Sequence, residues 1–308
     1  MDNEKQEKLF SLLERIANSL EKLVDNENYN NFVEDVSFRK NDDVVSTECD
    51  FERERLIKKL ENEFKKRNIE LLSLPGKYSY DESFNNISYY IGSHYDEVLP
   101  ILQKIKQSMQ TGRKFQYSVK NSSQNAIMHM CQLCTRLHQS ALLEEYNYTK
   151  SPTYLIKAKP SNQGLVQSFF SGEWYERYII IMIEKILSSL NIKYNTRTAY
   201  SIFNNISIRM SNGNQAELDI VVFIEEDLYW IECKSGNYQF HVAKYNSMIK
   251  DLDFSQERSH LVVADLPKEV ISSINGIYSN INIHNTKAFL EVFEKYVEKK
   301  YYSKEEEK

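Results

Sequence analysis

Two apolar runs joined by a short acidic turn most constrain the fold of the C-terminal half of this chain. The runs read AELDIVVF (residues 216–223) and LYWIECK (residues 228–234), and the turn between them contains Glu225, Glu226 and Asp227. Short apolar runs bounded by turn residues are typical of β-strands with both faces covered. The pattern therefore predicts two strands that pair as a hairpin inside a larger sheet.

Helices and strands alternate around this hairpin. The run WYERYIIIMIEKILSSL before it has the length and spacing of an apolar helix, and YSIFNNISIRM that of a further strand. After the hairpin, residues 241–297 alternate helix, strand, helix, strand and helix. Such alternation predicts an α/β domain over residues 161–300, with one mixed sheet flanked by helices on both faces.

Three charged side chains interrupt the two apolar runs. Asp219 lies in the first run, and Glu232 and Lys234 lie near the end of the second. Because side chains alternate along a strand, Glu232 and Lys234 point to the same side. Unpaired carboxylates are costly between Ile, Val, Tyr and Trp, so this placement favours a functional site over an ordinary salt-bridge cluster at a sheet edge.

This set of residues suits the hydrolysis of phosphodiesters. That reaction uses a divalent cation that activates water, and hard cations such as Mg²⁺ prefer carboxylate oxygens. An ammonium beside the cation can orient the water or stabilise charge on the phosphate. The Glu-x-Lys spacing alone is a weak signal, since it recurs at Glu63/Lys65, Glu298/Lys300 and Glu306/Lys308. Those three pairs, however, lie on no predicted strand.

The arrangement resembles the PD-(D/E)xK, restriction-endonuclease-like nucleases. The resemblance implies a restriction-endonuclease-like mixed sheet in which Asp219, Glu232 and the Cys233 carbonyl bind Mg²⁺ or Mn²⁺. It implies that Lys234 is the catalytic lysine, and that an acidic residue of the preceding helix joins the site. Glu176 in SGEWYERYI matches that position.

Two further positions follow from the same resemblance. Glu173 is the less suitable neighbour of Glu176, and Lys244 lies where the family often places a polar residue facing the site. For Lys244, contact with phosphate and exposure on a solvated helix face both remain open.

The stretch from FFSGEWYERY through ELDIVV to WIECKSG is more specifically similar to nuclease domains that are fused to ligand-sensing CARF domains in CRISPR-associated effectors, and to other antiviral nucleases. The similarity covers residues 165–300. It implies a nuclease in defence against foreign nucleic acid, with DNA favoured as substrate and RNA open. The N-terminal half departs from that pattern because it has no recognisable nucleotide-sensing sheet domain, so activation by a cyclic oligonucleotide is not implied.

The N-terminal 50 residues are acidic, with six Lys and Arg against thirteen Asp and Glu. Within residues 1–25, apolar residues follow the spacing of an amphipathic, coiled-coil-like helix: Leu9, Leu13, Ile16, Leu20 and Leu23. Such a helix mediates self-association, as in a homodimer, or packs on the body of its own chain. Residues 26–50 lack a clear period and are interpreted as an acidic linker.

Residues 51–160 are predicted to form a mainly helical, winged-helix-like module. Two helices precede a hairpin that flanks residues 149–152, and residues 101–160 hold nine Lys and Arg against two Glu. This local charge favours contact with nucleic acid through Arg113, Lys114, Lys120 and Lys150, with a solvated basic face as the alternative. Residues 301–308 are interpreted as a charged tail.

The remaining features are interpreted as structural. Cys131 and Cys134 form a CxxC on an apolar helix, where core packing is favoured over a metal site, and the six histidines show no ligand pattern. The sequence contains no apolar run long enough to span a bilayer and no export signal, so we expect a cytoplasmic protein that does not bind membranes.

Two other functions remain open on sequence grounds. The first is a non-catalytic nucleic-acid-binding protein that uses the basic module. The second is a nuclease subunit that stays silent until a partner or a signal activates it.

Overall fold

The structure is a computed structural model that describes residues 45–74 and 82–302. These residues fall into two compact units, of which the first ends at Lys59 and the second begins at Leu60. Helix α1 (Val45–Lys66) begins within the predicted acidic linker, earlier than expected. The predicted N-terminal helix, residues 26–44 of the linker and residues 303–308 of the tail lie outside the described residues.

A six-stranded mixed sheet forms the centre of the second unit. Its strand order is β1-β5-β6-β7-β8-β9. The strands are β1 (Glu70–Ser73), β5 (Tyr200–Arg209), β6 (Gln215–Ile224), β7 (Asp227–Lys234), β8 (Ser259–Val263) and β9 (Asn282–Asn285). The first four strands in this order pair antiparallel, and β7, β8 and β9 run parallel. The predicted mixed sheet and the hairpin of β6 and β7 are thereby confirmed.

Strand β1 lies at an edge of this sheet rather than in a separate module. Its register places Glu70 opposite Arg209 of β5, and the two side chains form an ion pair of 2.6 Å. The prediction assigned residues 51–160 to one module. Local sequence reveals a strand but not its partner, because this pairing joins segments that are far apart in the chain.

Helices pack against the sheet as the apolar spacing predicts. They are α5 (Gly164–Ser168), which continues as a π-helical turn (Phe169–Glu173), α6 (Trp174–Lys193), α7 (Gln239–Asp251), α8 (Lys268–Ile277) and α9 (Thr286–Val297). In α6, Ile179, Ile183, Leu187 and Leu190 are all buried at helical spacing. Complete burial of such a side chain contributes about 1.5–3 kcal/mol, so one face of α6 is firmly held.

The segment before α5 combines three helices with a second, three-stranded antiparallel sheet of order β2-β4-β3. Its elements are α2 (Glu82–Ser93), α3 (Tyr95–Thr111), β2 (Phe115–Ser118), α4 (Gln124–Gln139), β3 (Leu143–Thr149) and β4 (Leu155–Pro160). The hairpin of β3 and β4 is confirmed, whereas α2 and β2 are absent from the prediction. Helix α4 ends at Gln139, and Leu143 begins β3.

One apolar core crosses the predicted boundary at residue 160. A single cluster of buried residues contains Ile91 and Leu133 together with Ile183 and Ile231. Cys134 is fully buried in this cluster, in agreement with its interpretation as a core residue. The core also includes Tyr302 of a π-helical turn (Glu298–Tyr302), so the predicted tail begins after that residue.

No helix within the described ranges has the length and apolarity needed to cross a membrane.

Candidate active site

The end of the β6/β7 hairpin positions Asp219. The two strands pair from Ile224 and Asp227 as far as Ile220 and Ile231, and their register ends there. Beyond that point, the Asp219 carboxylate accepts a hydrogen bond of 2.9 Å from the Cys233 backbone N–H to Oδ2. A side chain thus replaces the strand ladder, which holds this buried carboxylate between β6 and β7.

The other side of Asp219 is also irregular. The β5/β6 register pairs Asn204 with Ile220 and Ile206 with Leu218, but it skips Asn205, which stands opposite Asp219. Asn205 has φ 51°, in the left-handed region that Asn tolerates better than most residues. Residues in such conformations cluster at functional sites, where the surrounding structure maintains them.

Lys234 connects the predicted metal ligands. Its Nζ lies 2.8 Å from Glu232 Oε1, 3.3 Å from Asp219 Oδ2 and 3.0 Å from the Cys233 carbonyl oxygen. Burial lowers the pKa of Lys234, but attraction by Glu232 and Asp219 outweighs burial and raises the pKa above its ordinary value. The three oxygens that the family resemblance assigns to a metal ion therefore converge on one positive charge.

Glu232 is the most deeply buried member of the cluster. Burial raises the pKa of Glu232, repulsion by Asp219 raises it further, and Lys234 lowers it in part. Its Oε2 is buried without a hydrogen-bond partner in the described part of the chain. Tyr245 of α7 lies beside this carboxylate and favours its charged form, which lowers the pKa of Glu232 in part.

The two acidic candidates on the preceding helix differ in their partners. Glu173 accepts hydrogen bonds of 2.8 and 2.6 Å from the Arg177 guanidinium. Glu176 instead faces the acidic cluster: burial and repulsion by Asp219 raise its pKa, while Lys234 lowers it. These charge interactions, and the pairing of Glu173 with Arg177, favour Glu176 over Glu173 as the fourth member of the cluster.

A pocket of about 870 Å³ opens over this cluster. Polar and charged residues dominate its wall, which includes Lys106, Ser168, Ser171, Glu173, Glu176, Arg177, Asn205, Glu217, Lys234, Ser235 and Asn237. Leu165 of α5 and Phe84 of α2 add apolar surface. A polar pocket beside a charged, partly buried cluster is the expected setting of an active site.

The four proposed nucleic-acid contacts of the helical segment lie at two ends of the small sheet, and none of them lines the pocket. Arg113 and Lys114 precede β2, and Lys114 forms an ion pair with Glu145 at the start of β3. Lys120 and Lys150 lie at the opposite end of the small sheet, since Val119 N–H and Lys150 C=O both bond to Tyr154. All four side chains are exposed.

Lys244 does not line the pocket. It is exposed on α7, and its Nζ lies 5.8 Å from the centre of the Tyr245 ring. Lys234 approaches the same ring, at 5.4 Å. Tyr245 therefore lies between the buried lysine of the site and the exposed lysine of the helix.

The sequence analysis did not assign three residues near the site to it: Lys106, Asn205 and Tyr245. Lys106 was only one of nine cations in the basic segment, and its approach to Ser235 depends on a contact between residues 129 positions apart. Asn205 and Tyr245 lie in ordinary strand and helix patterns. No local signal separates these residues from their neighbours.

The carboxylates of Asp219 and Glu232 and the carbonyl of Cys233 form a set of oxygen ligands that suits a hard divalent cation. Within residues 45–74 and 82–302, no group of three or more His, Cys, Asp or Glu side chains is placed to hold a metal ion. The set consists instead of two carboxylates and one carbonyl, which already surround the Lys234 ammonium. Oxygen ligands of this kind suit Mg²⁺ or Mn²⁺, and the unpartnered Oε2 of Glu232 offers a further acceptor.

Comparison with known proteins relates the chain to others only through its fold. A scan against protein-family models finds no match, and a comparison with curated proteins finds none either. Among solved structures, protein VC1899 from Vibrio cholerae matches 77% of this chain with a TM-score of 0.52 at 13% identity. Can2 from Sulfobacillus thermosulfidooxidans, in complex with cyclic tetra-adenylate, matches 77% with a TM-score of 0.51 at 12% identity.

The chain spans only 60% of the length of each of these two structures. At such identities the likeness concerns the fold alone. The fold of this chain is thus similar to that of VC1899 and Can2.

Proposed function

We propose that this protein is a metal-dependent nuclease that hydrolyses phosphodiester bonds in nucleic acid, with DNA favoured over RNA. The observation that carries the proposal is the convergence of Asp219 Oδ2, Glu232 Oε1 and the Cys233 carbonyl on the Lys234 ammonium. A site that gathers oxygens around a cation at the wall of a polar pocket suits the binding of a metal ion and a phosphate group.

The residues divide the chemistry as follows. Asp219, Glu232 and the Cys233 carbonyl would hold Mg²⁺ or Mn²⁺, and Glu176 would complete the acidic set. The bound ion supplies Lewis acidity and an activated water. Lys234 would orient the attacking water and stabilise negative charge on the phosphate, since it lies beside the carboxylates and lines the pocket.

Defence against foreign nucleic acid is the role we propose, because the resemblance of residues 165–300 is to antiviral nucleases. The Can2 structure contains cyclic tetra-adenylate. That nucleotide is therefore a sensible activating signal to test, together with a partner protein. A homodimer fits the proposal, because one site of this type cuts one strand.

The decisive test is cleavage of plasmid, single-stranded DNA and RNA by the purified protein with Mg²⁺ or Mn²⁺, with and without cyclic tetra-adenylate. We expect cleavage by the wild type and none by Asp219→Asn. The control is Glu226→Gln, an exposed acid at the opposite end of the same hairpin, which should cut like the wild type. If the wild type neither cuts nor binds Mn²⁺ under any of these conditions, the proposal is wrong.

A further inference from the structure

Lys106 of helix α3 places its ammonium beside Ser235, at the end of the large sheet that contains the acidic cluster. Its Nζ lies 3.2 Å from Oγ of Ser235, the residue that follows Lys234. The side chain is half-buried and lines the same pocket as Lys234 and Asn237. The helical segment thus contributes one wall of a site whose acidic cluster belongs entirely to the other part of the fold.

This lysine lacks the acidic partner that other lysines of the segment have. Lys159 forms an ion pair with Glu144, and Lys114 forms one with Glu145. For Lys106, burial lowers the pKa below its ordinary value, and no carboxylate in the described part of the chain opposes that effect. A half-buried cation without a counter-charge is costly, so an anion that enters the pocket would be held there.

We propose that Lys106 binds a backbone phosphate of the nucleic-acid strand in the pocket, next to the phosphate on which Lys234 acts. The inference rests on the proposed function and extends it, because it names a substrate-binding residue outside the acidic cluster. A lysine ammonium binds phosphate as a compact point charge with several donors, one of which Ser235 already engages. The remaining donors face a pocket large enough for a nucleotide unit.

The contact also suggests a role for the helical segment. Lys106 lies on α3, whose residues Ile101, Leu102 and Ile105 are buried in the shared core. The core therefore fixes the position of this helix relative to the sheet. Binding of the strand would depend on a rigid contact within the fold rather than on a mobile arm.

The test measures binding without cleavage, in the Asp219→Asn background. Its probe is a short fluorescent single-stranded oligodeoxynucleotide, with an RNA of the same sequence in parallel. Adding Lys106→Gln should weaken binding about tenfold at low salt, which corresponds to ~1.4 kcal/mol. It should also reduce the slope of log affinity against log salt by about 1, as expected for one lost phosphate contact.

The matched control is Lys104→Gln on the same helix, which removes a cation that does not line the pocket. Lys106→Arg keeps the charge and should retain most of the affinity, so it separates loss of charge from loss of fold. The inference is overturned if the Gln variants of Lys104 and Lys106 behave alike, or if the Asp219→Asn protein binds neither probe.

The two proposals fail in distinguishable ways. If the wild type cuts nucleic acid and Lys106→Gln changes neither KM nor binding, only the role of Lys106 is wrong. If Lys106→Gln weakens binding but the wild type never cuts, the phosphate contact stands and the nuclease activity does not.

Discussion

The Lys234 ammonium contacts one of the two oxygens of Glu232: Oε1 lies 2.8 Å from Nζ, whereas Oε2 is buried and has no hydrogen-bond partner among the described residues. A buried carboxylate is tolerated when both of its oxygens have partners. In Glu232 only Oε1 is paired with the Lys234 ammonium. Burial and repulsion by Asp219 raise the pKa of Glu232, and the ammonium of Lys234 lowers it only in part. A second cation at this carboxylate would complete its coordination.

Lys234→Met should slow cleavage strongly without abolishing metal binding. Removal of the ammonium takes away the group that stabilises charge on the phosphate, and we expect a loss of about 100- to 1,000-fold in cleavage rate. Manganese affinity, measured by calorimetry, should stay the same or rise, because the ammonium no longer competes for the three oxygens. Lys244→Met is the control, since that lysine lies outside the pocket. Unchanged cleavage by Lys234→Met would exclude a catalytic role.

Asp219→Ala should be less stable than Asp219→Asn, although both should be inactive. The Asp219 carboxylate accepts the Cys233 backbone N–H. An Asn side chain can still accept that bond, whereas Ala leaves the buried donor unpaired at a cost of about 1–3 kcal/mol. Urea unfolding of both variants measures the difference. Glu217→Ala, on the same strand and exposed, should change the free energy of unfolding by less than about 0.5 kcal/mol.

Asn205→Gly should be more stable than Asn205→Ala, the reverse of the usual order in a strand. Asn205 has φ 51°, which Gly adopts freely and Ala adopts at a cost. Both variants lack the amide, so their difference of about 0.5–1 kcal/mol reports the backbone conformation alone. The same pair at Asn204, which keeps its partner Ile220 in the strand register, should show the usual order. Equal stability of the two Asn205 variants would argue against the left-handed conformation.

The folded protein should lose stability in mild acid through two histidines. Burial, followed by the charge of His284, lowers the pKa of His260 to about 3, and burial lowers that of His284 to about 4. In the unfolded chain, His260 and His284 bind protons near pH 6.5, whereas in the folded chain both stay neutral at that pH. Stability is therefore fully present above that pH and falls as pH falls towards 4, by about 1–2 kcal/mol per pH unit.

Urea unfolding at pH 7 and pH 5 measures this loss. His260→Gln should reduce the difference between the two pH values, whereas His138→Gln, an exposed histidine, should leave it unchanged. An unchanged pH dependence in His260→Gln would show that this histidine is not held neutral.

The elements that the sequence predicts best are those with strong local patterns. The three strands from Tyr200 to Lys234, and helix α6 before them, agree with the predicted runs. Strands β6 and β7 and helix α6 bury most of their apolar residues, whereas β5 is largely half-buried. Helix α2 was missed: its run ESFNNISYYIGS is half polar, and its burial depends on packing against α6. Strand β2 has only four residues, too few for a periodic signal.

For the candidate site, the sequence by itself determined the side chains that share a face and an apolar setting. Strand alternation places Glu232 and Lys234 on one side, and the cost of burying a carboxylate singles out Asp219. Only the tertiary structure decided that the β6/β7 register ends at Ile220, that Glu173 accepts hydrogen bonds from Arg177, and that Lys106 reaches Ser235. The physical reason is that these features depend on contacts between distant segments, which a shared core creates and a local pattern of residues does not encode.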